Sequence, residues 1–181
     1  MLGGHIFTIG YGARSFSDVL GQIQPAGVEF VVDVRSAPFS RYQPEFSRPA
    51  LDRLLRENGI KYVFMGDQLG GRPPDVDCYT NGKVDYAKCE AKDFFQAGIR
   101  RLLDACSQGF HVCILCSESN PEQCHRSKLI ARSLEARDVE VMHLLPDGSV
   151  RSTGEVIHKL TGGQETLFGD HFVSRRTYRQ K

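Results

Sequence analysis

The sequence lacks tryptophan, contains three methionines and has no apolar run long enough to cross a membrane. Neither sign of charge is in excess, since 23 lysines and arginines face 22 aspartates and glutamates and leave a net charge of +1. Bulk charge therefore gives no indication of a nucleic-acid partner, and the missing apolar run predicts no membrane partner. The first ten residues also lack the apolar core of a secretory signal, so the six cysteines are expected in a reducing cytoplasm.

Apolar residues at 40% and charged residues at 25% are typical of a globular chain, and 181 residues suit a single domain. Short apolar runs alternate along the chain with stretches of helical periodicity. This alternation predicts an α/β fold with a mostly parallel five-stranded sheet and helices on both faces. The predicted strands span residues 6–9, 30–34, 60–64, 110–115 and 139–144.

Two segments fall outside this alternation. Residues 66–85 are rich in glycine and proline and show no clear periodicity, which is typical of a binding loop, a lid or disorder. Residues 149–181 are predicted to extend the α/β domain of residues 1–148 with a short helix and a basic end. That end is expected to be frayed and solvated, with contact to nucleic acid as the alternative. Its basic residues are Arg175, Arg176, Arg179 and Lys181.

Glycines and arginines follow several of the predicted strands. In open parallel sheets, ligands bind in the crevice at the carboxyl ends of the strands, and guanidinium groups suit phosphate or carboxylate. These positions predict a crevice for an anionic ligand, with a salt bridge from Arg35 to Asp33 and solvated loop arginines as the alternatives. The predicted substrate-binding residues are Gly10, Tyr11, Arg35, Arg41, Gly70, Gly71, Arg72, Cys124 and Arg126.

Cys116 ends the most strand-like run and precedes a helix that is predicted to begin near residue 120. Backbone N–H groups and the helix dipole at such a start favour an anion and lower the pKa of a nearby thiol. Cys116 is therefore predicted to be a reactive thiolate, and a small buried residue at a strand end is the alternative. Glu118, His125 and Asp33 are the candidates to move a proton, unless the two acids only neutralise the arginines.

Cys116 and Cys124 also suggest two other arrangements, a metal site completed by His125 or a reversible disulfide. Their spacing does not match the Cys-x-x-Cys motif of structural zinc sites. Consecutive helical residues such as Cys124 and His125 point about 100° apart, so no metal ligation is predicted. A disulfide requires α-carbons within about 7 Å, which the sequence leaves open. The sequence identifies no cofactor.

The short motifs at these strand ends form a combination that is specific as a whole. They are Thr8-Ile9-Gly10-Tyr11-Gly12, Asp33-Val34-Arg35, Pro38, Ser40-Arg41, Leu69-Gly70-Gly71, Cys116-Ser117-Glu118, Pro121 and Cys124-His125-Arg126. This combination resembles the domain of unknown function 488 family over residues 6–148. The resemblance implies a compact α/β domain with a site at these motifs, and it implies no particular reaction. Relatives commonly carry Gly-His-Ser or Gly-Tyr-Ser where this chain has Gly10-Tyr11-Gly12, so the hydroxyl at the third position is missing here.

Two classes of function follow from these residues. The first is a cysteine-dependent transferase or hydrolase that acts on a phosphorylated small molecule, a nucleotide or a nucleic-acid end. The second is a module without turnover that binds a nucleotide or nucleic acid, or that senses redox state through Cys116 and Cys124. In the second class, the aromatic residues available to stack on a base are Tyr11, Phe39, Tyr42 and Phe46. The sequence predicts no oligomeric state.

Overall fold

The computed structural model describes residues 3–163 and 171–178. In these residues six strands form one sheet and two more form a small antiparallel hairpin. The strands are β1 Ile6–Gly10, β2 Phe30–Asp33, β3 Lys61–Phe64, β4 Tyr79–Thr80, β5 Lys83–Val84, β6 Val112–Cys116, β7 Val141–Leu144 and β8 Val150–Ser152. The order in the sheet is β3-β2-β6-β1-β7-β8, and every neighbouring pair is parallel except β7 and β8. The α/β class and the mostly parallel sheet are confirmed.

Seven α-helices and one π-helical segment are found within the described residues. The π-helical segment, Arg126–Ala131, continues directly into the sixth α-helix. The α-helices are α1 Phe16–Ile23, α2 Arg48–Glu57, α3 Gly66–Leu69, α4 Tyr86–Glu90, α5 Asp93–Ser107, α6 Arg132–Glu135 and α7 Thr153–Thr161. Short 3-10 turns span Pro44–Phe46, Val76–Cys78 and Pro121–Gln123. No helix in residues 3–163 or 171–178 combines the length and the apolar character needed to cross a membrane.

The sheet has six strands where the sequence predicts five. The additional strand, β8, pairs antiparallel with β7 and lies in the part assigned above to a C-terminal extension. Its three residues are too few to give a recognisable period. The helix that follows, α7, begins with a capping box formed by Ser152 and Glu155. The first part of the extension is thus joined to the edge of the main sheet.

Apolar side chains pack on both faces of the sheet, because successive residues of a strand point to opposite sides. On one face, Ile9, Val31 and Leu115 pack with side chains of α1 and α2. On the other face, Val32 and Ile114 pack with side chains of α5, the π-helical segment and α6. All five residues of β6 are buried, which is typical of a central parallel strand that is covered on both sides.

Residues 66–85 are ordered rather than a long irregular loop. They contain α3, a 3-10 turn and the β4-β5 hairpin. Each of these elements is only two to four residues long, so none of them produces a periodic sequence pattern.

Residues 171–178, called here the C-terminal segment, pack along this hairpin. Val173 forms an isolated antiparallel bridge with Asp85, and Tyr178 donates its N–H to the carbonyl of Gly82. The expectation of a frayed end is therefore wrong for this segment, which finds hydrogen-bond partners on the hairpin. It contains Arg175 and Arg176, whereas Arg179 and Lys181 lie outside the described residues.

Candidate functional site

A cavity of about 730 Å³ opens where β1, β2 and β6 end. Tyr11, Arg35 and Cys116 line it at the ends of these three strands. Further lining residues come from residues 123–125, where a 3-10 turn leads into the next helix, and from the C-terminal segment. The cavity thus lies at the carboxyl edge of the parallel strands, where sheets of this kind bind their ligands.

The helix next to the cavity begins later than the sequence predicts. Asn120 caps a 3-10 turn by accepting the N–H of Glu122, so the regular helix does not start there. Cys124 follows with an extended backbone, φ −108° and ψ 145°, and its carbonyl accepts the N–H of Lys128. Cys124 therefore stands at the N-terminus of the helix, where its sulfur accepts the N–H of Arg126.

Two thiols and an imidazole meet at this helix start. The sulfur atoms of Cys116 and Cys124 and one ring nitrogen of His125 all lie within 4.8 Å of one another. The Cys124 sulfur is 3.7 Å from His125 Nδ1. Each residue is at most 8% exposed, yet all three line the cavity. The predicted divergence of Cys124 and His125 does not occur, because the backbone of Cys124 is extended and not helical.

The two thiols have opposite pKa shifts. Burial alone disfavours the Cys124 thiolate, but the hydrogen bond from Cys116, the charge of Arg126 and the Arg126 N–H outweigh burial and lower the pKa of Cys124 to about 6. The same hydrogen bond, together with burial and the nearby Cys124 charge, raises the pKa of Cys116 to about 12. These opposite shifts favour the thiolate form of Cys124 over that of Cys116. The free N–H groups of the helix reach Cys124, eight residues beyond the predicted thiolate.

Asp33 and Arg35 form a buried ion pair beside the cavity. Arg35 Nη2 is 2.6 Å from Asp33 Oδ2, and the two side chains are 5% and 0% exposed. Arg35 also donates to the Phe46 carbonyl and the Tyr11 hydroxyl, while the Tyr62 hydroxyl donates to Asp33. Burial opposes the charge of Arg35, but the contacts with Asp33 prevail and raise the Arg35 pKa. This is the salt-bridge alternative of the sequence analysis, and it leaves Asp33 engaged by cationic and hydroxyl donors.

Arg126 is fully buried and holds the loop that follows β6. Its guanidinium donates to the carbonyls of Glu118 and Ser119 and to the hydroxyl of Thr8. Arg126 is not among the residues that line the cavity, and its charge acts on the Cys124 thiolate. It supports the site from within the core.

Three predicted glycines allow close packing around the site. A Cβ at Gly10 would lie 1.7 Å from the carbonyl oxygen of Glu118, and a Cβ at Gly71 would lie 2.8 Å from the ring of His125. Gly70 is similarly confined, with a backbone oxygen 2.2 Å from a Cβ at that position. Of the three, only Gly71 lines the cavity.

Arginines supply positive charge to the cavity. Arg175 lies 3.6 Å from Glu118, so these two charges compensate each other. Arg72 places its guanidinium 4.6 Å from the ring centroid of Tyr178. Neither Arg72 nor Arg176 forms a salt bridge with another residue in 3–163 or 171–178. These two guanidinium groups are available for an anionic ligand.

The aromatic side chains proposed to stack on a base divide into two pairs. Tyr11 and Phe46 are buried and stack on each other, with ring centroids 4.0 Å apart. Phe39 and Tyr42 are 72% and 91% exposed, and Phe39 lines the cavity. Arg41, which lies between them in sequence, is exposed and outside the cavity lining.

Sequence reasoning missed part of the cavity wall. Tyr79, Tyr86 and Ser174 line it, and so do the arginines of the C-terminal segment. Tyr79 lies in the stretch that shows no period and Tyr86 directly follows it, and the arginines contact the site only because the segment folds back on the hairpin. The weak signal was the sequence Arg175-Arg176-Thr177-Tyr178, which combines basic and aromatic residues in the manner of an anion site.

Cys116, Cys124 and His125 are also the single group of three potential metal ligands in the described part of the chain. Two thiolates and one imidazole are a donor set that Zn²⁺ accepts, with a fourth position left for a ligand. Zn²⁺ is therefore the ion that this group suits best, and its binding would compete with free-thiol chemistry.

Comparison with known proteins identifies a family. No curated protein and no solved structure matches the chain. A family model described as domain of unknown function DUF488 matches residues 15–133, which include the motifs from Asp33 to Arg126. Because this match covers more than half of the chain, the protein belongs to the DUF488 family, as its motifs predict.

Proposed function

We propose that the protein is a cysteine-dependent enzyme of the transferase or hydrolase type, in which Cys124 is the nucleophile. One observation carries this proposal: Cys124 stands at a helix start next to the Arg126 N–H, its sulfur lies within 4.8 Å of the Cys116 sulfur, and it lines the cavity. The thiolate is the reactive form of cysteine, and it attacks electrophilic atoms to form covalent intermediates. In this proposal Cys116 stabilises the nucleophile instead of being it.

The substrate carries an anionic group. Arg72 and Arg176 border the cavity without an acidic partner among the described residues, and guanidinium groups bind phosphate and carboxylate. A volume of about 730 Å³ suits a nucleotide or a phosphorylated small molecule. The exposed ring of Phe39 offers a face on which a base of a nucleotide or a nucleic-acid end can stack.

Proton transfer is assigned to Glu118 and His125. The Glu118 side chain lines the cavity, and the His125 ring lies next to both sulfur atoms. A group in either position can protonate a leaving group or accept a proton from an attacking water.

We also assign the protein to the cytoplasm, because all six cysteines are free and this suits a reducing compartment.

Binding without turnover is the second candidate. It is favoured by the exposure of Phe39 and Tyr42, which suits base stacking. In that case the wild-type protein would bind a nucleotide, form no product, and retain its affinity in a Cys124→Ser variant. An enzyme would instead lose turnover in that variant and keep binding.

Alkylation by iodoacetamide as a function of pH tests the nucleophile. We expect Cys124 to react first, with a rate that is half-maximal near pH 6, because the pKa of this thiol is lowered to about 6. Below that pH the sulfur is protonated and unreactive. Cys116→Ala removes a hydrogen-bond donor and is expected to move the half-maximum toward the ordinary thiol pKa of about 8.5. The titratable and charged groups that surround Cys124 are Tyr86, Cys116, His125, Arg126 and Lys128.

Cys106→Ser is the matched control, since Cys106 lies on α5, where its thiol donates a hydrogen bond to the Gly4 carbonyl. It should leave the profile unchanged. Peptide mapping that finds another cysteine reacting before Cys124, or a Cys124 profile centred above pH 8, contradicts the proposal.

The same reaction reports on Arg72 and Arg176, which have no acidic partner among the described residues. Iodoacetate is the anionic counterpart of iodoacetamide. Positive charge near the sulfur therefore raises the ratio of the iodoacetate rate to the iodoacetamide rate. Arg72→Ala combined with Arg176→Ala is expected to lower this ratio several-fold. The matched pair Arg53→Ala and Arg56→Ala, on the exposed side of α2, should not change it.

A further inference from the structure

We propose that Cys116 and Cys124 form a working dithiol and that the substrate is a disulfide that carries carboxylates or similar anionic groups. This inference rests on the proposed nucleophile, Cys124, and adds a substrate class and a second reacting sulfur. Its basis is the presence of two sulfur atoms in the cavity. Attack on a carbon or phosphorus electrophile needs one sulfur, whereas here a second thiol lies within 4.8 Å of the first and lines the same cavity.

Another cysteine pair in the chain provides a comparison. Cys78 and Cys89 lie in one buried cluster of the core, but neither lines the cavity. Burial is the main cause that raises the pKa of both. That pair consists of two neutral thiols in the core. Cys116 and Cys124 instead place two sulfur atoms within 4.8 Å of each other in the wall of an open cavity, where one can attack a disulfide and the other can resolve the mixed disulfide.

The reaction is a thiol–disulfide exchange in two steps. In the first step, the Cys124 thiolate attacks one sulfur of the substrate R–S–S–R′, forms a mixed disulfide and expels R′–S⁻. In the second step, Cys116 loses its proton and attacks the Cys124 sulfur, which closes the Cys116–Cys124 disulfide and expels R–S⁻. The substrate gains two electrons and the protein loses two. A dithiol reductant then restores the protein by the reverse exchange.

His125 is positioned to accept the proton from Cys116. One of its ring nitrogens lies within 4.8 Å of the Cys116 sulfur, and its Nε2 atom is buried without a hydrogen-bond partner in the described residues. A neutral imidazole has one acceptor nitrogen, so the ring can take this proton and pass it to the departing R–S⁻. Gly71 packs directly against the ring and keeps it beside the two sulfurs.

The disulfide can form with a short movement. The two sulfur atoms lie within 4.8 Å of each other, and a disulfide bond is about 2.05 Å long. Cys116 is fixed in the sheet opposite Gly10, whereas Cys124 lies in the link between a 3-10 turn and the helix. We therefore expect Cys124 to move when the bond closes.

The charge of the cavity selects the disulfide. Arg72 and Arg176 are without acidic partners among residues 3–163 and 171–178, so a substrate with carboxylates is favoured over a cationic one. Oxidised glutathione, which is anionic, and cystamine, which is cationic, are therefore the two probes. The whole chain is prepared with a metal chelator, because the same three side chains suit Zn²⁺.

Each probe is mixed with the protein, the reaction is quenched with acid, and the protein is weighed intact and after digestion. With oxidised glutathione, the wild type is expected to lose two hydrogen atoms and to release both halves of the probe as glutathione. Cys116→Ala is expected to stop at a mixed disulfide on Cys124, and Cys124→Ser is expected not to react. Cys89→Ser, in the pair away from the cavity, should behave as the wild type. Arg72→Ala with Arg176→Ala should slow the reaction of oxidised glutathione several-fold and should not slow that of cystamine.

Several results would overturn the inference. They are a wild type that keeps a stable mixed disulfide, a Cys116→Ala variant that still releases both halves, and a wild type that reacts faster with cystamine. Each of these leaves the proposed function standing if Cys124 is still alkylated selectively near pH 6. If that alkylation is absent, the proposed function fails as well. Should Cys116→Ala fail to fold, Cys116→Ser supplies the same test, because its hydroxyl cannot resolve the mixed disulfide.

Discussion

Arg126 is the largest fully buried side chain of the described residues, and no carboxylate pairs with it there. Two backbone carbonyls and the Thr8 hydroxyl accept its hydrogen bonds, and the Cys124 thiolate supplies the opposite charge. A buried cation without compensation costs several kcal/mol. The arginine and the thiolate therefore stabilise each other, which links the reactivity of the site to the stability of the fold.

Arg126→Lys tests this link at the scale of one residue. Lysine keeps the charge but loses the planar fork that reaches two carbonyls and a hydroxyl, so we expect the free energy of unfolding to fall by roughly 3 kcal/mol. The pKa of Cys124 should rise, because the Arg126 side chain contributes to its lowering. Chemical denaturation and the alkylation profile measure the two effects. Arg53→Lys, an exposed position, is the control and should stay within about 0.5 kcal/mol. An unchanged Cys124 profile in Arg126→Lys would mean that the thiolate does not depend on the guanidinium geometry of Arg126.

At the scale of elements, the loop after β6 packs directly on the end of β1. A Cβ at Gly10 would lie 1.7 Å from the Glu118 carbonyl oxygen, and backbone on both sides leaves little room for adjustment. We expect Gly10→Ala to displace this loop, to destabilise the protein by about 2 kcal/mol or more, and to raise the pKa of Cys124 through a displaced Arg126. Thermal unfolding and alkylation measure both changes.

Gly21→Ala is the matched control for that substitution. Gly21 lies in the middle of α1 with nothing within 4 Å of an added Cβ. Alanine should stabilise the protein there by about 0.5–1 kcal/mol, because it restricts the unfolded chain and suits a helix. If both alanines had the same effect, the close contact at Gly10 would not determine the position of the loop.

Periodic patterns identified most of the sheet and the helices that cover it. The apolar runs that end near Gly10, Asp33 and Cys116 predicted three strands whose ends meet at the cavity. The start of the helix next to the cavity could not be predicted, because Pro121 suits both the first turn of a helix and the 3-10 turn that forms here. That difference of four residues decides which cysteine receives the free N–H groups. The C-terminal segment could not be placed either, since its partners lie about ninety residues earlier in the hairpin.

At the scale of the whole molecule, a series of hydrogen bonds runs from the π-helical segment through the sheet to α7. Arg126 Nε donates to the Thr8 hydroxyl, which lies 2.7 Å from His143 Nδ1. His143 Nε2 is 3.1 Å from the Thr153 hydroxyl, which itself donates to the Val141 carbonyl. With the Thr153 proton used in this way, Nε2 is the donor and Nδ1 the acceptor of a neutral ring. This series of hydrogen bonds joins β1, β7 and α7, so the first part of the extension is hydrogen-bonded to the sheet.

His143 therefore makes the stability of the whole molecule depend on pH. Burial, and after it the charge of Arg126, lowers the pKa of His143 from 6.5 to about 3. Between these two values the unfolded state binds a proton that the folded state does not, so stability falls as the pH falls from 6.5 toward 3. One such group contributes a slope of at most about 1.4 kcal/mol per pH unit. In His143→Gln this contribution is absent, so we expect a free energy of unfolding that depends less steeply on pH in this range. Disturbing the buried hydrogen bonds of His143 makes the variant less stable at neutral pH. His158→Gln, on the exposed side of α7, should keep the wild-type slope, and urea titrations at a series of pH values compare the three proteins. Equal slopes in the wild type and His143→Gln would mean that other groups govern the acid sensitivity of the fold and that the histidine titrates alike in both states.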